Sequence, residues 1–260
     1  MLQAGMIALV LLGDPASPGS LTSAAGVPYE ALHLWQHAND MAWLAYLNGD
    51  LKLAEARFKQ AIAVMRPYEK ANPRLLARSY CDLAEVLYAE ARYDQAEPLA
   101  RWALKVREKY PRVPAESIHR NLYVLAQIHC AQRRYADAEP LLRRALTRQE
   151  KSRGGDHLEL ALTLDDLAWV NAELGKLPEA AALSNRALAV RTKHLPASDP
   201  EIADASERYA GLLRRLERLT EAEWLEARAR TIRRESDAEL AEGPRPETRL
   251  RPPPRPQPGP

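Results

Sequence analysis

From about Tyr29 to about Leu240, apolar residues recur at the three-to-four-residue spacing of amphipathic helices, and the whole pattern repeats at a shift of 42 positions. Its clearest mark is Tyr93-Asp94-Gln95-Ala96-Glu97-Pro98-Leu99, which returns as Tyr135-Ala136-Asp137-Ala138-Glu139-Pro140-Leu141. Fainter copies stand at Leu51-Lys52-Leu53-Ala54-Glu55, Leu177-Pro178-Glu179-Ala180 and Leu219-Thr220-Glu221-Ala222-Glu223, so the unit occurs five times. Three columns hold alanine in every copy. They are Ala42, Ala84, Ala126, Ala168 and Ala210; Ala54, Ala96, Ala138, Ala180 and Ala222; and Ala61, Ala103, Ala145, Ala187 and Ala229. Helices approach closely only where side chains are small, so these columns predict the contact lines of helical hairpins. Leu44, Val86, Ile128, Val170 and Leu212 are expected to fill the space around those lines, as are Ile62, Leu104, Leu146 and Leu188. Arg230 breaks the latter column, as suits a terminal copy whose outer face meets water.

The predicted elements are therefore helices throughout. First helices are expected near 30–47, 73–90, 115–132, 157–174 and 199–216, and second helices near 51–69, 93–110, 135–152, 177–195 and 219–240. Turns and caps fall at Asn48-Gly49-Asp50, Asn72-Pro73, Gly154-Gly155-Asp156, Gly175 and Ser198-Asp199-Pro200. Pro178 suits a first helical turn, whereas Pro98 and Pro140 lie deeper in register and should cost a hydrogen bond or bend their helices. The expected organisation is a disordered or signal-like segment over 1–28, an α-solenoid over 29–242 and a tail over 243–260. Repeats lie near 30–71, 72–113, 114–155, 156–197 and 198–240. The tail alternates proline with Arg245, Arg249, Arg251 and Arg255, and with almost nothing apolar to bury it should be a disordered, polyproline-like segment.

Composition adds limits. Hydrophobic residues make up 46% of the chain and aromatics only 6%, a balance rich in helix formers and poor in strand formers. A net charge of +2 offers no broad field for nucleic acid. The run Met6-Ile7-Ala8-Leu9-Val10-Leu11-Leu12 is too short to span a membrane. With the small residues up to Ala25 it has the outline of an export signal cleaved near Ala25, but no Lys or Arg precedes Lys52 to supply the basic start. Cys81 and Cys130 stand seven residues apart in register on adjacent parallel helices, too far for a disulfide. Free thiols favour a reducing, cytoplasmic setting, with export as the alternative.

The Leu83-Ala84, Leu125-Ala126 and Leu167-Ala168 pairs, the Gly49 and Gly175 turns, the Tyr-x-x-Ala-Glu-Pro-Leu blocks and the alanine columns together resemble the tetratricopeptide repeat. The 42-residue spacing with long second helices is similar to the kinesin-light-chain type, over about residues 30–235. The resemblance implies an all-α, right-handed superhelix whose first helices line a concave groove for an extended peptide or a helix of a partner protein. The family often carries Asn-Asn before the Leu-Ala pair. Here those positions hold Asn39-Asp40, Cys81-Asp82, Tyr123-Val124, Asp165-Asp166 and Glu207-Arg208.

Carried over by position, the groove residues are Asn39, Asp40, Trp43 and Tyr46; Arg78, Asp82, Glu85 and Tyr88; Arg120, Tyr123 and Gln127; Asp165, Asp166 and Trp169; and Arg208. Carboxylates among aromatics suit a peptide bearing Lys or Arg plus apolar anchors. The expectation is a protein-interaction scaffold without catalysis or cofactor, with a self-assembling solenoid as the alternative. His33 and His37 lie four apart on a helix but lack a third ligand, and His129-Cys130 lacks a third catalytic member. Asp165-Asp166 offers acid–base chemistry no enclosed pocket.

Overall fold

The computed structural model of the chain describes residues 27–110, 115–153 and 157–242; the apolar run, the Gly154-Gly155-Asp156 turn and the Pro/Arg tail lie outside them. Five helical hairpins follow one another. They are α1 (Tyr29–Leu47) with α2 (Leu51–Met65), α3 (Pro73–Ala89) with α4 (Tyr93–Lys109), α5 (Ala115–Ala131) with α6 (Tyr135–Arg153), α7 (Leu160–Glu173) with α8 (Leu177–His194), and α9 (Pro200–Arg215) with α10 (Leu219–Glu242). Each helix packs on the next along the chain, giving an all-α solenoid. Two boundaries depart from the sequence reading. The second helix of the first copy gives way at Arg66–Tyr68 to a 3-10 turn carrying Pro67, and α7 starts about one turn late, after a turn at Leu158-Glu159. Pro98 and Pro140 both lie inside continuous helices with their rings exposed, so each removes one backbone bond on the outer side without ending its helix.

The turn inside each hairpin uses one backbone device five times. Gly49, Ala91, Arg133, Gly175 and Glu217, spaced by 42, all have positive φ, at 80°, 57°, 58°, 76° and 61°. The residue after each donates its N–H back to the carbonyl five residues earlier: Asp50 to Ala45, Arg92 to Leu87, Arg134 to His129, Lys176 to Asn171 and Arg218 to Leu213, at 2.8–2.9 Å. This bond closes the helix end and reverses the chain. Only two of the five copies place glycine where the left-handed conformation favours it.

The alanine columns are the buried seam. All fifteen are at most 3% exposed, and those of the second helices are completely buried. Beside them Val86, Ile128 and Val170 are fully buried, and Ile62, Leu104, Leu146 and Leu188 nearly so. Leu44 corrects the expectation for its column: it is 52% exposed, because no second helix precedes α1 among the described residues.

Candidate binding groove

Side chains of the first helices meet across one face of the solenoid, and their contacts step from copy to copy. At its centre Arg120 of α5 reaches back over α3. Its Nη1 lies 2.7 Å from the Asp82 carboxylate, Nε donates to Glu85 at 3.1 Å and Nη2 to the other Glu85 oxygen. The same guanidinium lies 4.9 Å from the ring centroid of Trp43 on α1, so one arginine ties three copies together. Burial works against the Arg120 charge, but Glu85 and Asp82 outweigh it and raise its pKa well above the ordinary value. Burial also raises the Glu85 carboxyl, against the pull of Arg120. Arg78 completes the cluster over the Trp35 ring at 5.7 Å, and Trp43 meets Tyr46 and Phe58 edge-on.

A second cluster joins α5 to α7. Tyr123 donates to Asp166 Oδ2 at 2.5 Å and Gln127 donates to the same oxygen at 2.8 Å. Burial pushes the Asp166 carboxyl up to about 6; the Tyr123 bond opposes the shift and neighbouring Asp165 adds to it. Asp165 Oδ2 in turn accepts from Arg191 of α8 at 2.6 Å and from Arg208 of α9 at 2.9 Å.

These contacts sort the fifteen predicted residues. Arg78, Asp82, Glu85, Arg120, Tyr123, Gln127, Asp165, Asp166 and Arg208 are all in the ion-pair and hydrogen-bond ladder, with Trp43 beneath it and Tyr46 against Trp43. Tyr88 is half-buried beside Tyr93, 5.8 Å away, and Asp40 is exposed. Three expectations of an accessible surface are corrected by burial. Asn39 is 2% exposed, donates to the Trp35 carbonyl at 2.7 Å and accepts from Ser79, so it serves packing. Trp43 is 8% exposed and roofed by Arg120, and Asp82 is fully buried. Trp169 differs: it is 44% exposed and touches Tyr135 edge-on at 5.3 Å. Leu162, two turns earlier on the same face of α7, is 39% exposed.

The sequence reading passed over one column of the second helices. Met65, Arg107, Gln149, Arg191 and Arg233 share it, and the first four are buried. Arg107 donates to the Ser117 carbonyl at 2.5 Å, Gln149 accepts from Thr163 at 3.1 Å, Arg191 holds Asp165, and Arg233 bonds Asp204 and Glu207. A long polar side chain recurring at a buried helical position was its available signal.

Neither thiol is placed for chemistry. Cys81 and Cys130 are free and buried, and burial pushes both pKa values up to about 12. Among the described residues no group of three or more His, Cys, Asp or Glu is placed to hold a metal ion, and no helix is long and apolar enough to cross a membrane.

Comparison with known proteins places this architecture. A tetratricopeptide repeat model matches residues 29–109 and 117–193, and a second tetratricopeptide repeat model matches 166–237. No curated protein matches the sequence. Among solved structures, the kinesin-light-chain nearly identical TPR-like repeats of Podosopora anserina align over 78% of this chain and 97% of that one, with a TM-score of 0.68 and 19% identity. BtubC (BKLC) from P. vanneervenii aligns over 91% of this chain and 96% of that one, with a TM-score of 0.70 and 22% identity. A Rap protein complexed with competence and sporulation factor aligns over 82% of this chain and 58% of that one, with a TM-score of 0.55 and 16% identity. Five hairpins at a 42-residue pitch, alanine seams and these matches make the chain a member of the tetratricopeptide repeat family, with repeats like those of kinesin light chains.

Proposed function

We propose that the chain is a protein-interaction scaffold that takes an extended peptide segment of a partner on the face of its first helices, chiefly at α7. The observation that carries this is the pair of exposed apolar side chains on α7. Leu162 and Trp169 lie seven residues apart, about 10 Å along the helix, with the Asp165 and Asp166 carboxylates between them. An extended peptide in the polyproline-II conformation places every third side chain on one face, about 9 Å apart. An apolar residue, a Lys or Arg that adds to the bonds Asp165 and Asp166 already receive from Arg191, Arg208, Tyr123 and Gln127, and a second apolar residue in that span would match the row. Trp169 supplies the rigid aromatic anchor on which binding energy concentrates. Towards the N-terminal copies the ladder around Arg120 already satisfies its own charges, so that part of the face supplies rigidity and shape. The Rap protein of the same fold, solved with competence and sporulation factor, supports a binding role for such a solenoid.

An array of short peptides of this pattern, titrated against the full chain by isothermal calorimetry, tests the reading. Peptides with two apolar residues flanking a basic one should bind, and Leu162→Ser with Trp169→Ala should abolish binding while helicity is kept. Unchanged peptide binding by that double variant would remove α7 from the site.

A further inference from the structure

Leu34, His37, Met41 and Leu44 form one face of α1, at spacings of three, four and three residues. In the other copies this face packs against the second helix of the preceding hairpin. The residues in the Leu34 column there are Leu76, Ile118, Leu160 and Ile202, none more than 5% exposed. In α1 nothing described covers the face, and Leu34 is 57% and Leu44 52% exposed. The two ends of the solenoid are therefore unlike. The last second helix has exposed Arg230 where earlier copies carry Ile or Leu, which is the polar outer face an end requires. The first helix carries the interior pattern of a copy with a neighbour in front.

The chain contains a segment suited to that place. Residues 2–12, Leu-Gln-Ala-Gly-Met-Ile-Ala-Leu-Val-Leu-Leu, carry no charge and form the one long apolar run outside the repeats. At helical spacing Leu2, Met6 and Leu9 share a face with Gly5, and Ala4, Ile7, Ala8 and Leu11 lie away from it. Eleven helical residues extend about 16 Å, and Leu34 to Leu44 spans about 15 Å of α1. The order along the chain also agrees. In each repeat a second helix ends and a loop leads into the next first helix, and here Gly13 to Pro28, with three prolines, leads from the run into α1.

We propose that residues 2–12 dock as a helix on the Leu34–Leu44 face of α1, in the place that a second helix holds before every other first helix. The run then caps the solenoid.

Single thiols introduced by Leu34→Cys, by Leu44→Cys and, as a control, by Leu47→Cys report the cover in the full-length chain. The Leu47 column is exposed in every copy, at Ala89, Ala131, Glu173 and Arg215, and the native thiols are buried. Maleimide should label the thiols at 34 and 44 about tenfold or more slowly than the one at 47, and Met6→Asp with Leu9→Asp should abolish that difference. Two reporting positions keep the test readable if one variant misfolds. Equal labelling with and without the aspartate pair would overturn the proposal. So would protection that rises with protein concentration alongside a dimer mass in sedimentation, which assigns the face to a second copy. An intact mass beginning near Gly26 would overturn it too, because the run is then a removed leader.

Discussion

Arg120 and Trp43, two repeats apart in the chain, meet face to face: the guanidinium carbon lies 4.9 Å from the indole centroid while the same group pairs with Asp82 and Glu85. The contact makes three first helices one unit. A solenoid whose copies touch only their neighbours gains stiffness when a side chain spans a copy, and this holds the curvature of the groove.

Replacing Arg120 by Ala leaves the fully buried Asp82 carboxylate with only the more distant Arg78, at 3.9 Å. The expected loss is about 2–4 kcal/mol of unfolding free energy, because a poorly compensated buried charge costs more than the pair contributes. Urea unfolding measures it. Arg101→Ala, which removes an exposed ion pair with Glu97, should leave the midpoint near that of the parent chain.

Asp166 predicts a pH dependence of known sign. Its folded pKa of about 6 lies above the ordinary 3.8, so between these values the folded chain holds a proton that the unfolded chain has released. Stability from this group therefore rises as pH falls from above 6 towards 4. Depressed His129 acts in the opposite sense, losing stability as pH falls through 6.5, and raised Glu85 acts in the same sense as Asp166. The difference between the parent chain and Asp166→Asn isolates the one group. The variant should be more stable by about 1–3 kcal/mol at pH 7.5, an advantage that shrinks by pH 5. A difference that stays constant across the range would exclude Asp166 as the titrating group. The window stops near pH 5 because the depressed carboxyls of Glu55, Glu97 and Glu139 begin to lose their own contributions below it.

The five left-handed turns allow stabilisation without new contacts. Ala91→Gly, Arg133→Gly and Glu217→Gly each relieve an L-residue of positive φ and should stabilise the chain by about 0.5–1 kcal/mol. Gly175→Ala should cost about 1 kcal/mol, although open space surrounds the site. Thermal melts of the four variants check the pattern, and a destabilised Ala91→Gly would refute it.

At the seams, Ala96→Leu forces a larger side chain into a completely buried position between two helices and should destabilise by about 2 kcal/mol or more. Ala89→Leu, at an exposed position, should not. Guanidinium titration of the pair distinguishes seam packing from a general effect of bulk.

The sequence by itself determined the number of repeats, their pitch, the helix boundaries to within about a turn and the buried alanine lines, because each of these is written in spacing along one chain and five copies average out local exceptions. Gly49 and Gly175 marked two of the five turns; at Ala91, Arg133 and Glu217 the backbone bond that closes the helix end imposed the same conformation on side chains that do not favour it. Tertiary structure alone decided which polar residues face one another. Arg120 was legible as a groove residue, but its reach across α3 to Trp43 depends on the superhelical rotation between copies, which a column alignment does not contain. For the same reason Asp82 and Trp43, placed in the groove by position, lie beneath other side chains, whereas Trp169, at the position equivalent to Trp43, is 44% exposed and meets Tyr135 edge-on. Burial of the Leu44 column at Val86, Ile128 and Val170 and its exposure in the first copy were likewise decided by what stands in front of each helix, a relationship between elements that no single position records.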